Sequence, residues 1–307
     1  MNIRSLDRPP NAVDPLFWAD FIELHTLIHP DHYFTRGDLD GISRRSKEVD
    51  SKKSFSVEDR WADLINFACV REIEYGSAYP FKVSDDKDAL ELHFEENNIE
   101  QHSYLSLLVA ALLRHFPNQQ NKITRLFEEI SYHIFEKLMP DGSSVRPTWA
   151  HGGKQASYQG TLFRKMQTIA ADLRCTANFK ERDFKPTDTG DGGIDIISWH
   201  PMTDNRAGMP IAFAQCGCSA TQWDSKQLEA SPAKLHTKLP TMHPWSNYYF
   251  MPLDLRDADG GWAYESDLGQ AIVVDRLRLI RLASEYNLHQ NLPKLECLTE
   301  IMSAEYY

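Results

Sequence analysis

A glycine-rich turn with two aspartates is the pattern in this chain that could carry chemistry. It reads GDGGIDII over residues 190–197 and leads into a predicted strand. Asp195 stands between two isoleucines, so its carboxylate points to the opposite face of that strand. Because burial of a lone carboxylate is unfavourable, such an acid usually has a cation or a hydrogen-bond donor beside it. Gly192 and Gly193 have no side chains, which allows a backbone or a polyanion to approach closely.

A second polar side chain, Gln215, nearly ends the next predicted strand, Pro210–Cys216. The polar turn His200–Met209 joins the two strands, and the pattern predicts a β-hairpin. If the strands pair across that turn, Asp195 and Gln215 face each other. Their oxygens would then suit Mg²⁺, a hard cation that prefers carboxylate, carbonyl and water ligands, with Mn²⁺ as its substitute.

Hydrophobic periodicity and helix breakers divide the chain into two regions. The segment Met139–Gly153 is dense in glycine, proline and serine, and it predicts a boundary between residues 1–150 and residues 151–307. The first region is expected to be mainly helical, with a long loop between residue 28 and the helix N-cap Ser56. Its predicted helices are Pro15–Ile28, a helix that begins after Ser56, Gln101–Phe116 and Asn121–Leu138.

The second region has the element order of an α/β domain. Helix, strand, strand, strand, helix and strand in succession predict an α/β fold with a mixed sheet. A C-terminal extension follows, with an apolar segment and a helix whose Arg276, Arg278 and Arg281 are expected on an exposed face. The predicted elements are the helix Tyr158–Leu173, the strand Ala177–Phe184, the hairpin, the helix Thr221–Leu239 and the strand Asn247–Leu253.

The string GDGGIDII, a turn and then IAFAQC resemble the core of the PD-(D/E)XK nuclease superfamily, in particular its Mrr-type restriction endonucleases. The resemblance covers residues 158–253 and implies a restriction endonuclease-like αβββαβ core, preceded by the mainly helical region. It implies that Asp195 is a metal ligand and that Gln215 stands in place of the family's usual glutamate. Together they would bind Mg²⁺ for the hydrolysis of phosphodiester bonds.

Two departures from the family pattern shift the expected catalytic residues. The family's lysine two places after the glutamine is Gly217 here, and Lys226 on the following helix looks like its substitute. The helix Tyr158–Leu173 lacks the family's glutamate. A Leu-Phe-Glu sequence that ends at Glu128 resembles the first-motif helix, which makes Glu128 the candidate for an additional acid and metal ligand. The residues assigned to the substrate side are Asp191, Gly192, Gly193 and Trp223.

Each of these residues also has an ordinary structural interpretation. Asp191 fits a turn, because Asp-Gly is a common turn dipeptide. Trp223 fits a position in the core. Lys226 and Glu128 fit solvated faces of helices.

Composition excludes several classes of protein. Of the 307 residues, 42% are hydrophobic and 25% are charged, which argues against a disordered or fibrous chain. No apolar run approaches the ~20 residues of a membrane span, and the first residues contain no secretory signal. A cytoplasmic protein without membrane contact is therefore expected.

Five scattered cysteines predict no disulfide framework.

The charge balance restricts how the chain could bind nucleic acid. Its 33 basic and 44 acidic residues give a net charge of −11, which counts against non-specific coating of nucleic acid. Binding would need a local patch, a metal or a partner. The leading interpretation is a Mg²⁺-dependent endonuclease, with DNA favoured over RNA, that has a protein partner or self-associates. Bacterial antiphage defence is the setting that the resemblance implies.

Two other interpretations stay open. The chain could be a catalytically degenerate subunit that keeps the nuclease fold and acts as a protein-interaction module in a defence complex. The missing lysine, the missing helix glutamate and the acidic net charge favour that interpretation. A weaker alternative is a redox or metal module built on Cys216 and Cys218, whose C-x-C spacing lacks a second pair.

Overall fold

The structure is a computed structural model that describes residues 3–4, 6, 9–10, 14–45, 56–149, 157–269 and 271–304. The helices, in chain order, are α1 (Pro15–Ile28), α2 (Arg36–Arg45), α3 (Val57–Tyr75), α4 (Ile99–Ala111), α5 (Gln120–Leu138), α6 (Leu162–Asp172), α7 (Trp223–Lys226), α8 (Pro232–Leu235), α9 (Arg276–Glu285) and α10 (Leu298–Met302). The strands are β1 (Tyr33–Thr35), β2 (Phe81–Val83), β3 (Ala89–Leu92), β4 (Ser144–Pro147), β5 (Ile196–Trp199), β6 (Ile211–Cys216), β7 (Ser246–Phe250) and β8 (Ile272–Val274).

The chain forms two compact units that interleave along the sequence. The first unit comprises Met1–Glu129, Pro252–Tyr264 and Asp275–Tyr307, and the second comprises Ile130–Met251 and Glu265–Val274. The sequence places a boundary at residues 150–151, whereas the structure divides the chain within α5 and returns the C-terminal segment to the first unit. A helix that is continuous through a boundary gives no breaker signal, so local sequence could not mark this division.

The first unit is helical, with one small sheet. The helix Pro15–Ile28 forms as predicted, and Ser56 caps α3 as predicted, because its Oγ accepts a hydrogen bond from the amide of Asp59 at 3.0 Å. The long loop expected after residue 28 is wrong for residues 33–45, which form β1 and α2. Strands β1 and β2 both pair antiparallel with β3. Strands of three and four residues are too short to give a strong periodic pattern in the sequence.

A buried network of ions holds the first unit together. The Arg71 guanidinium contacts Asp20 at 2.8 Å, Glu23 at 2.6 Å and Asp254 at 2.9 Å. Arg276 binds Asp20 through both of its terminal nitrogens, at 3.0 and 2.7 Å. The expectation that Arg276 lies on an exposed face is therefore wrong, because its carboxylate partner is far away in sequence. Burial raises the pKa of Glu23, and the charge of Arg71 opposes that rise.

Removal of one cation from this network should destabilise the protein strongly. We expect Arg71→Met to lower the free energy of unfolding by about 3–5 kcal/mol, because it removes the arginine that contacts the buried Asp254 and leaves Arg276 as the one cation, among the described residues, that contacts Asp20 and Glu23. The matched control is Arg281→Met, which breaks an ion pair with Glu74 on a side chain that is 58% exposed. That change should alter stability by about 1 kcal/mol or less. Urea denaturation measures both, and equal effects would contradict the role assigned to the network.

A buried histidine gives the first unit a dependence on pH. Arg114 donates to Nε2 of His115 at 2.9 Å, so the ring proton sits on Nδ1 and is donated to the carbonyl of Arg4 at 2.9 Å. Burial lowers the pKa of His115 from 6.5 to about 4. The unfolded chain therefore takes up this proton at a higher pH than the folded chain does.

This difference predicts acid destabilisation over a defined range. Stability should be fully present above pH 6.5 and should fall by about 3 kcal/mol as the pH decreases from 6.5 to about 4. His115→Gln removes the titrating group, so its unfolding free energy should change less over that range. Denaturation of both proteins at pH 7 and pH 4.5 measures the difference. Parallel pH profiles would show that His115 does not contribute.

The second unit contains a five-stranded mixed sheet in the order β4-β5-β6-β7-β8. Strands β4, β5 and β6 are antiparallel neighbours, and β6, β7 and β8 run parallel. The predicted hairpin is confirmed as the β5–β6 pair, and the predicted mixed α/β class is confirmed as well. The face of the sheet that packs on α6 is apolar, and the residues of this core include Met166, Ile169, Leu173, Ile197, Trp199 and Phe213.

Three predictions for the second unit are wrong in detail. Residues 177–184 form no strand, because Phe179 and Phe184 pack with Phe163 in an aromatic cluster and the charged residues between them stay exposed. The sequence predicts that the strand beside the hairpin follows the helix Tyr158–Leu173, whereas in the structure that strand is β4, which precedes α6. The single helix predicted over Thr221–Leu239 is two short helices. Helix α7 ends at Lys226, and Pro232, which suits the first turn of a helix and not its interior, begins α8.

Candidate active site

Asp195 is fixed in the sheet between two strands. Its amide donates to the carbonyl of Ala214 at 2.9 Å, and its carbonyl accepts from the amide of Thr148 at 2.9 Å. The Thr148 hydroxyl also donates to the carbonyl of Ile194. Backbone bonds on both sides therefore determine where the Asp195 side chain emerges, and that side chain is only 6% exposed.

The Asp195 carboxylate binds the strand that carries Gln215. Its Oδ2 accepts a hydrogen bond from the amide of Cys216 at 2.7 Å. Together with the Ala214 bond, this contact attaches Asp195 to the residues on both sides of Gln215. The structure thus brings Asp195 and Gln215 together at the end of the β5–β6 hairpin, where the sequence analysis expected them.

A third polar residue, Glu229, joins this pair. Gln215 donates from Nε2 to Oε2 of Glu229 at 2.6 Å. A carboxylate can only accept, so the amide presents its Oε1 elsewhere, and that buried oxygen has no hydrogen-bond partner among the described residues. We call Asp195, Gln215 and Glu229 the acid–amide cluster. Sequence reasoning missed Glu229, because a continuous helix over Thr221–Leu239 gave no reason to single out one of its acids.

Gly193 makes room for Glu229. A Cβ at position 193 would lie 2.8 Å from the Glu229 Cβ and 3.3 Å from its Oε2. The glycine also has a φ of 83°, a backbone conformation that side-chain-bearing residues rarely adopt. The glycine expected to admit a substrate therefore admits a protein carboxylate.

The glycine-rich turn is held by hydrogen bonds of its own. Asp191 accepts from the amide of Gly193 at 2.8 Å, and this bond supports the interpretation of Asp191 as a turn residue. Lys165 of α6 donates to the carbonyls of Thr189 and Gly190 at 2.8 and 3.1 Å. Burial lowers the pKa of Lys165, while the charges of Asp191 and Asp188 oppose that change. Lys165 thus fastens the turn that leads to Asp195.

The remaining predicted residues occupy different surroundings. Trp223 is buried, which matches the interpretation as a core residue. Gly192 faces Leu162, whose Cδ1 would lie 3.1 Å from an added Cβ. In the part of the chain that the structure describes, the half-buried Lys226 side chain makes no hydrogen bond or ion pair. Glu128 is a half-buried residue of α5 in the first unit. The catalytic roles of Lys226 and Glu128 stay predictions.

Position 217, where the PD-(D/E)XK pattern has a lysine, packs against the neighbouring strand β7. The amide of Gly217 donates to the carbonyl of Phe250 at 2.9 Å, and a Cβ at position 217 would overlap the hydroxyl of Tyr249. Tyr249 is paired in register with Gln215 on the neighbouring parallel strand. Burial raises the pKa of Tyr249 well above its usual range, and the acidic groups of Cys218, Cys216, Asp195 and Glu229 add to the rise.

The donor set of the acid–amide cluster fits a hard cation better than a soft one. It contributes two carboxylates and a buried amide oxygen that lacks a partner among the described residues, and oxygen ligands of this kind suit Mg²⁺ or Mn²⁺. Among the described residues, no group of three histidine, cysteine, aspartate or glutamate side chains is arranged to hold a metal ion. A cation here would therefore depend on the amide of Gln215 as well as on the acids.

The cysteines contribute no disulfide. None of the five is in a disulfide, and Cys216 and Cys218 are half-buried residues at and beyond the end of β6.

Comparison with protein-family models, with curated proteins and with solved structures finds no match to this chain. No helix in the described ranges is long and apolar enough to cross a membrane.

The close approach of Gly193 and Glu229 generates a prediction. Gly193→Ala should lower the free energy of unfolding by about 2 kcal/mol or more, because the new methyl group meets Glu229 and the backbone is strained at positive φ. The control is Gly269→Ala in the same unit, where an added Cβ has no atom within 4 Å. That variant should stay within about 0.5 kcal/mol of the parent protein. Chemical denaturation of the two variants checks this, and a harmless Gly193→Ala would contradict the described geometry.

Proposed function

We propose that this protein is a Mg²⁺-dependent nuclease that hydrolyses phosphodiester bonds of DNA or RNA. The observation that carries the proposal is the convergence of Asp195, Gln215 and Glu229, with the Gln215 Oε1 buried and unpartnered among the described residues. A buried acceptor without a donor is rare in folded proteins and needs an explanation. A bound cation would satisfy this acceptor, because a cation takes lone pairs that no described protein group satisfies.

The order of elements supports the restriction endonuclease-like assignment. The C-terminal part of α5 precedes the antiparallel strands β4, β5 and β6, and α7 and α8 then lead to β7, which runs parallel to β6. This is an αβββαβ order with α6 inserted between the first two strands. The acid–amide cluster lies at the end of the central hairpin, which is where the resemblance to the PD-(D/E)XK superfamily assigns the metal ligands.

The residues of the cluster would act together in this proposal. Asp195, Gln215 and Glu229 would hold the cation through their oxygens. A divalent cation bound there supplies Lewis-acid polarisation of the phosphodiester and local positive charge in a chain of net charge −11. The Cys216 amide fixes the orientation of Asp195. Glu229 would accept the proton of the attacking water, and Lys226, one turn earlier, would stabilise the negative charge that develops on the phosphate.

The biological setting is proposed from the resemblance alone. It favours a cytoplasmic effector of bacterial antiphage defence that acts on DNA rather than RNA. The acidic net charge means that a protein partner or a second copy would help to bring the nucleic acid to the site.

A second candidate function is a non-catalytic interaction subunit. The observation that favours it is the loss of the lysine position, because the Tyr249 hydroxyl fills the space in which a side chain at Gly217 would lie. A chain of this kind would keep the fold and use its surface to bind a partner. It would neither bind Mn²⁺ at the cluster nor cleave nucleic acid.

The experiment is a cleavage assay with the full chain. Labelled single- and double-stranded DNA and RNA are incubated with Mg²⁺ or with EDTA. We expect cleavage only with Mg²⁺, and a loss of at least about 100-fold in rate for Asp195→Asn, which keeps the size of the side chain but removes its charge. The matched control is Asp224→Asn, an exposed acid on α7, which should cleave at the parental rate.

Two outcomes would contradict the nuclease proposal. One is cleavage that persists in EDTA, and the other is cleavage that Asp195→Asn leaves unchanged. Absence of cleavage on all four substrates, together with a stable co-purifying protein, would select the interaction subunit instead.

A further inference from the structure

The buried tyrosine Tyr249 pairs in register with Gln215 of the acid–amide cluster. Tyr249 is 0% exposed, and its hydroxyl has no hydrogen-bond partner among the described residues. Buried tyrosines usually place that group against an acceptor. The neighbouring Gln215 is 7% exposed and carries a second unpartnered atom, the acceptor Oε1. A donor and an acceptor that do not bond each other thus lie on paired positions of two adjacent strands.

The register explains why both groups reach the same place. Tyr249 pairs with Gln215 in the parallel β6–β7 ladder, so the two side chains emerge on the same face of the sheet. Two residues earlier on that face, Asn247 donates to the carbonyl of Gln227, and the segment around α7 covers it. Glu229 lies two residues beyond Gln227. Tyr249 therefore lies on the sheet face that this segment, which also supplies Glu229 to the cluster, covers at Asn247.

Gly217 leaves the space that the Tyr249 hydroxyl occupies, because glycine has no side chain. A Cβ at Gly217 would overlap the hydroxyl oxygen and lie 2.9 Å from the ring carbon that bears it. Gly217 is held in place by its bond to the carbonyl of Phe250, so the backbone cannot easily move away. Any residue except glycine at position 217 would displace the hydroxyl. The sequence therefore carries a tyrosine oxygen in a space that a side chain at position 217 would otherwise occupy.

We propose that the Tyr249 hydroxyl is the hydrogen-bond donor that the acid–amide cluster offers to an oxygen of a bound phosphate or phosphodiester. The inference rests on the proposed function, since it assigns the phosphate-binding donor of the same site. A phenol carries its proton at neutral pH, so this group can donate a hydrogen bond. A neutral donor adds no charge next to the cation-binding acids.

The test compares Tyr249→Phe with the parental full chain, using Mn²⁺ and inorganic phosphate as probes. Removal of the hydroxyl should weaken phosphate binding in the presence of Mn²⁺ by about tenfold or more, as calorimetry measures it. Affinity for Mn²⁺ alone should not change. The thermal midpoint should stay the same or rise, because the lost group had no partner to stabilise the fold. Tyr248→Phe, next to it on the strand and half-buried, is the matched control and should bind phosphate as the parent does.

Each outcome separates this inference from the proposed function. If the parent binds Mn²⁺ and phosphate and Tyr249→Phe binds both equally well, the donor role is wrong and the nuclease proposal stands. If the parent binds Mn²⁺ but not phosphate, or if Tyr249→Phe unfolds at a lower temperature and loses Mn²⁺ as well, the hydroxyl has only a structural role. If the parent binds no Mn²⁺, the proposed function fails, and this inference fails with it.

Discussion

The candidate site depends on one hydrogen bond, from the amide of Cys216 to the carboxylate of Asp195. It joins the acid that precedes β5 to the end of β6, and it sets the position of Gln215 between two residues that both bond Asp195. Backbone groups of β6 therefore position Asp195, and no additional side chain is needed for this. Glu229 then completes the cluster through the Gln215 amide. Loss of the hairpin register would separate all three groups.

The site keeps features that a purely structural corner would avoid. The Gln215 Oε1 and the Tyr249 hydroxyl are buried without partners in the described part of the chain, and two glycines are needed to admit Glu229 and Tyr249. Each feature lowers stability in the absence of a ligand. The first unit also has buried polar atoms without a partner among the described residues, such as the Tyr75 hydroxyl and Oδ1 of Asp254. At the candidate site, two such groups lie on paired positions of β6 and β7, next to Asp195 and Glu229.

Much of the site could be predicted from sequence, and the remainder could not for identifiable reasons. The Asp195–Gln215 juxtaposition follows from a hairpin pattern, which is local, and so does the Ser56 cap. Glu229 and Tyr249 reach the cluster by packing of a broken helix and by a parallel crossover, neither of which leaves a spacing signal. Arg276 has the sequence context of an exposed helical arginine, and its burial depends on Asp20, which is distant in the chain. Non-local pairs of this kind need the structure.

The most direct test of the central claim is a crystal of the full chain soaked in Mn²⁺, with anomalous scattering recorded at the manganese edge. The account predicts a peak bounded by the carboxylate of Asp195, the Oε1 of Gln215 and the carboxylate of Glu229, and no such peak in crystals of Asp195→Asn. A manganese peak elsewhere, or an ordered cluster with none at saturating Mn²⁺, would contradict it.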